Sequence, residues 1–150
     1  MNPLIETWQI HSRINIYLLG NIDEENLKDI ASSKGRTVGE QFAHINNVRL
    51  MWLKAADESL MEGLTKMEKG DITKQGLLSE LQLSGNRLEQ LLERSVDGKI
   101  KGFKPHATAF LGYLISHESH HRGQIMLSLK QSGHPVDKKI QFGLWEWGTR

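Results

Sequence analysis

From about Pro105 to Ser132 the sequence reads as one long helix with a firm stop, and that helix limits what the rest of the chain can build. Gly133 fits the left-handed position just past a helix end, and Pro135 blocks continuation. Three further helical segments precede it. The first opens with Asn2 as N-cap and Pro3 at the first helical position. It carries Leu4, Ile5, Trp8, Ile14, Leu18 and Leu19 on an uneven apolar face and ends at Gly20-Asn21. The second starts at Thr37-Val38-Gly39-Glu40, the spacing of a capping box. Gln41, His44, Ile45, Val48, Met51, Trp52 and Ala55 follow at helical spacing. The third spans about Thr73 to Arg94, with Leu77, Leu81, Ser84, Leu88, Leu91 and Leu92 as its buried stripe, and Asp97-Gly98 opens the loop that leads to Pro105. Residues 57–72 are ambiguous: Leu60, Leu64 and Met67 suit another helical turn or two before Gly70-Asp71.

No segment alternates as a strand would. Four amphipathic helices in 150 residues, the usual size of one domain, predict an all-α four-helix bundle, a single domain over residues 1–150. The tail from residue 134 carries Trp145 and Trp147, and two tryptophans so close together are expected to pack back on the bundle or to cover a second copy.

Charge and composition remove several function classes. Nineteen Lys and Arg against 18 Asp and Glu leave a formal charge of +1, which supplies no electrostatic footprint for nucleic acid. The chain has no cysteine, hence no thiolate metal site and no cysteine nucleophile. No apolar run approaches the roughly 18–20 residues that span a bilayer, so no membrane partner is expected. Residues Met1 to Ile10 lack the order of a signal peptide, and a cytoplasmic location is the expectation.

The chemistry concentrates in His117-Glu118-Ser119-His120-His121. At about 100° per residue, His117 and His121 differ by about 40° and share a face with Phe110, Leu114 and Ile125. Two imidazoles side by side in an apolar stripe resist being charged together, whereas a shared metal needs both neutral. His44, on the apolar face read for the second helix, supplies a third ligand. Three histidines from two helices leave coordination positions open, the arrangement of a catalytic metal, with zinc or nickel suited to imidazole donors. His11 competes for the third place. His120 lies at the edge of the face, and His106 and His134 flank the helix ends.

Two short motifs compete with this reading. His117-Glu118-x-x-His121 matches a metallopeptidase signature, but Gln124 and Leu127 stand where its longer form has Gly and His. Glu118-x-x-His121 has di-iron spacing, yet no second such pair follows, and Glu40 is explained by its capping box.

His44 after a capped helix start, then His117-Glu118-Ser119-His120-His121-Arg122-Gly123-Gln124, with Gly133 and Trp145-Glu146-Trp147 downstream, resembles the DinB/YfiT-like family of metal-binding four-helix bundles. By position, the resemblance places the three metal ligands at His44, His117 and His121. It implies an up-down-down-up bundle, often a homodimer, holding a divalent metal with open positions. Some such proteins transfer or isomerise with low-molecular-weight thiols. The expected activity is therefore metal-dependent thiol S-transfer or hydrolysis on a small substrate, with a non-catalytic metal- or ligand-binding stress-response protein as the alternative. Glu118 and His120 are the candidates for moving protons, and Gln124 borders the pocket. Gly123 is expected to allow close helix approach, and Arg122 to make a structural ion pair.

Overall fold

The computed structural model describes residues 2–95 and 98–150; Asp97 of the loop start read from sequence lies outside them. Four long helices, α1 (Pro3–Gly20), α2 (Val38–Ala56), α3 (Lys74–Glu93) and α4 (Ala107–Gln131), are followed by a short α5 (Lys138–Gly143). The ends follow the local chemistry. Asn2 caps α1 through Leu4, Thr37 and Glu40 close a reciprocal capping box on α2, and Thr73 caps α3. His106 caps α4 with its Nδ1, accepting from Ala109 at 3.1 Å. At the far end of α4, Gly133 has φ +84°. The Gly133 amide bonds Lys130 and the His134 amide bonds Leu129, a Schellman ending.

Cross-links between helices give the topology. Gln9 meets Glu89, while Lys74 meets Gly20 and Glu24, so α1 and α3 run antiparallel. His11 and Asn15 reach Glu118, and Asn15 also reaches Arg122, so α1 and α4 run parallel. Gln41 meets His121 while Trp52 packs on Phe110, which makes α2 antiparallel to α4. The order is up, down, down, up. Parallel α2 and α3 require a crossover along the bundle, and residues 57–73 make it. Two 3-10 turns, Glu58–Met61 and Lys69–Asp71, resolve the ambiguous stretch, and Leu60, Leu64 and Met67 bury against the bundle. The Asn47 side chain donates to the Met67 carbonyl (3.0 Å) and accepts from its amide (2.9 Å), pinning the crossover to α2.

The interior is two apolar clusters with a polar layer between them. One holds Ile14, Leu18, Phe42, Ile45, Leu77, Leu81, Ile125 and Leu129; the other holds Trp8, Leu50, Leu53, Leu88, Phe110 and Leu114. Between these levels on the four helices lie buried His11 and Asn15, Arg49, Ser84, and Glu118. Gly85 of α3 is needed beside this layer: a Cβ there would stand 2.6 Å from Ser12 Oγ of α1. Its carbonyl accepts the Trp8 indole N–H at 2.9 Å.

The layer corrects the helix faces read from sequence. On α2 the buried residues include Phe42, Ile45, Asn46, Arg49, Leu50 and Leu53, whereas Met51 is 54% exposed and Ala55 is exposed. On α4, Glu118 lies at the centre of the buried stripe and His117 at its half-buried edge. A charged residue reads as solvent-facing, so the Arg49–Glu118 pair shifted both faces. In the tail, Leu144 is buried and Trp147 packs against the first cluster, but Trp145 is 79% exposed, so only one tryptophan returns to the bundle. No described helix is long and apolar enough to cross a membrane.

Candidate metal centre

His44 of α2 meets His117 and His121 of α4 at the seam between the two helices, level with the polar layer. The ring centroids are 5.4 Å (His44–His117), 4.6 Å (His44–His121) and 4.7 Å (His117–His121) apart. One ligand nitrogen from each lies within 4.8 Å of the others, so the three can hold a metal ion. His44 and His117 are half-buried, which leaves the site open on its outer side.

The surroundings prepare these rings as ligands. His121 Nδ1 is 2.6 Å from the Gln41 side-chain oxygen; an amide oxygen only accepts, so Nδ1 donates and Nε2 keeps its lone pair. Gln41, one turn before His44, is buried, which holds that orientation. The His117 ring lies nearly parallel to Tyr113, with interplanar angle 11° and centroids 6.2 Å apart, and Trp52, Phe103 and Phe110 extend that aromatic wall. His117 Nδ1 is buried with no hydrogen-bond partner, a cost on the order of 1–3 kcal/mol that coordination through that atom would remove. Burial lowers the pKa of all three, and their mutual repulsion and Arg36 lower those of His44 and His121 further; His121 falls to about 4. All three are neutral near pH 7, the state a metal ligand requires.

The glutamate between the histidines faces the other way. Arg49 grips both Glu118 oxygens (Nε–Oε2 2.8 Å, Nη2–Oε1 2.7 Å), and Asn15 and His11 also bond Oε1 at 2.9 and 3.1 Å. Arg49 spends its remaining Nη1 donor on the Leu81 carbonyl and Ser84 Oγ. Burial alone would raise the Glu118 pKa, but the Arg49 charge and the bonds from Arg49 and His11 bring it down to about 2. Such a carboxylate is permanently charged, fully bonded and 1% exposed. It is turned toward Arg49, Asn15 and His11 in the bundle interior and makes no hydrogen bond to the three clustered histidines among the described residues. Burial likewise depresses the His11 pKa, so neutral His11 donates a hydrogen bond to Glu118 and is spent there, not on a metal.

Glu118 therefore ties stability to acid pH. The unfolded side chain titrates near 4.5 and the folded one near 2, so the folded state binds fewer protons between those values. The stability that Glu118 contributes is complete above pH 4.5 and is lost as pH drops toward 2. Urea unfolding of wild type and Glu118→Gln at pH 6 and pH 3 checks this: the wild type loses markedly more stability than the variant over that interval.

The remaining sequence expectations divide. Gln124 Nε2 lies 3.2 Å from His120 Nε2, and the exposed His120 stands edge-on to His121 with ring centroids 5.0 Å apart. Arg122 makes hydrogen bonds to Asn15 (2.7 Å) and Ser119 (3.2 Å) in place of the expected ion pair. Gly123 faces open space, and no close helix approach depends on it. His106 and His134 are exposed; His134 pairs with Asp29 at 2.7 Å. Sequence reading placed Gln41 on the right side of α2 without giving it a role, although its place one turn before His44 was the available signal.

An up-down-down-up helical bundle with three histidines clustered on its second and fourth helices defines a class of bundle that can carry a metal in its side. The DinB family model matches residues 1–138, and the chain belongs to the DinB family. Comparison with curated proteins and with solved structures finds no match.

Proposed function

We propose that this protein is a metal-dependent enzyme acting on a small substrate, with a divalent ion, zinc or nickel, held by His44, His117 and His121. The chemistry favoured is thiol S-transfer or hydrolysis. The observation that carries the reading is a three-histidine cluster on an open seam, with no fourth ligand joining it among the described residues. His11, the rival ligand, is committed to Glu118. A structural metal is normally closed by four protein ligands, whereas three leave room for substrate.

When bound, a divalent ion would act as a Lewis acid that favours the deprotonated form of a thiol or water in an open position. The chain's own contributions are separable. Gln41 fixes the His121 ring, Tyr113 and Trp52 form an apolar wall beside His117, and Arg49 with Glu118 locks α4 against α2 behind the histidines. His120, exposed and next to His121, is the residue placed to exchange a proton with solvent. The protein is expected in solution, as a homodimer.

The test measures disappearance of a low-molecular-weight thiol in the presence of an electrophile. Activity that is lost on chelation, restored by zinc or nickel and absent in His117→Ala supports the enzyme. Stoichiometric metal with no turnover of any thiol or ester favours the non-catalytic binding alternative.

A further inference from the structure

We propose that the cleft beside His44 seats a carboxylate-bearing end of the substrate, with Arg36 and Lys66 as its anion-binding groups. The inference deepens the metal-centre reading and rests on it for where the reactive end of that substrate lies.

The cleft has a volume of about 280 Å³ and is bordered by His44, Arg36, Lys66, Lys69, Glu40 and Glu68 among others. Most of its polar groups are already employed. Glu40 caps α2 and pairs with Lys69 at 3.6 Å, and Glu68 accepts from the backbone of its own 3-10 turn. Asn47, at the cleft floor, is occupied by the Met67 backbone. Arg36 and Lys66 have no hydrogen-bond or ion-pair partner among the described residues.

Arg36 is also placed by its backbone. Lys34 and Gly35 before it both have positive φ (72° and 97°), and Thr37 after it is the α2 N-cap, so the chain turns sharply just before the guanidinium and is anchored just after it.

Charge balance points the same way. Three cations against two carboxylates leave the cleft with one excess positive charge (3 − 2 = 1). A divalent ion at neutral imidazoles would add two more, and Glu118 offers no relief because Arg49 neutralises it. A small molecule that joins the metal through a thiolate at one end and carries a carboxylate at the other cancels the excess charge of the cleft and one of the two charges of the ion. The guanidinium fork matches a carboxylate in two parallel hydrogen bonds.

The experiment compares two ligands that differ only in that charge. Cobalt(II)-loaded protein, whose visible bands report thiolate binding, is titrated with 3-mercaptopropionate and with 3-mercaptopropionamide. Wild type should prefer the acid by about tenfold. In the Arg36→Gln/Lys66→Gln variant the preference should shrink to within about twofold, with cobalt content and amide affinity unchanged. An equal affinity for acid and amide in wild type, or a preference that survives in the variant, overturns the proposal. A metal-free arm keeps the two readings apart: glutarate added to the apoprotein should move amide NMR signals at Arg36, His44 and Lys66 in wild type and not in the variant. Failure to bind cobalt with the glutarate response intact sinks the metal centre and leaves the anion cleft standing. Cobalt binding without any charge preference or glutarate response sinks the cleft alone.

Discussion

Arg49→Met is expected to destabilise the protein by about 3–5 kcal/mol, because it leaves a carboxylate buried without its counter-charge. Arg49 and Glu118 are each 1% exposed, and six hydrogen bonds hold the pair and its neighbours in the middle of the bundle. Met keeps the unbranched apolar stem of Arg and removes the guanidinium, so most of the loss reports charge and hydrogen bonding. At about 2–4 °C per kcal/mol for a chain of this size, the melting temperature should fall by roughly 6–20 °C. Urea unfolding measures it directly. A double variant, Arg49→Met with Glu118→Leu, should recover a large part of the loss, since it removes the stranded anion as well. A single-variant loss below about 1 kcal/mol, or no recovery in the double, would show that the layer is not held by this pair. The arrangement also bears on the histidine cluster: α2 and α4 carry the three histidines that can hold a metal, and Arg49–Glu118 ties those two helices together behind them.

The second expectation concerns metal affinity. His121→Ala removes one of three ligands and should reduce bound zinc or nickel from one per chain to near zero after dialysis. Gln41→Ala is the more informative change. It removes only the acceptor that fixes the His121 tautomer, and loss of such an outer partner lowers metal affinity by about 10–100-fold. Competition with a chromogenic chelator reads the dissociation constant. Gln41→Glu should retain or strengthen binding, because a carboxylate oxygen accepts the same Nδ1–H and adds charge near the ion. If Gln41→Ala binds metal as tightly as wild type, Gln41 is a packing residue. If His121→Ala keeps full metal content, the centre itself is misplaced.

What could be seen in the sequence was set by short-range physics. Caps, glycine stops and 3.6-residue periodicity act within one or two turns, so the four helices, the Thr37–Glu40 box, the α3 leucine stripe and the Gly133 ending could be read before any packing was known. The histidine cluster was legible for the same reason in part: His117 and His121 are one turn apart, His44 falls on the apolar face read for the second helix, and the family resemblance placed the same three together. What required tertiary structure was every feature that depends on a partner from far along the chain. Arg49 and Glu118, 69 positions apart, are buried only because each neutralises the other, and neither residue alone carries a sign of that. Their burial rotated the inner faces of α2 and α4 away from the hydrophobic count. That moved the histidine site from the bundle interior to an open seam and set Glu118 against Arg49, Asn15 and His11. The long helix that stops at Gly133 was a property of local sequence; the side of it that meets the core was decided by the fold.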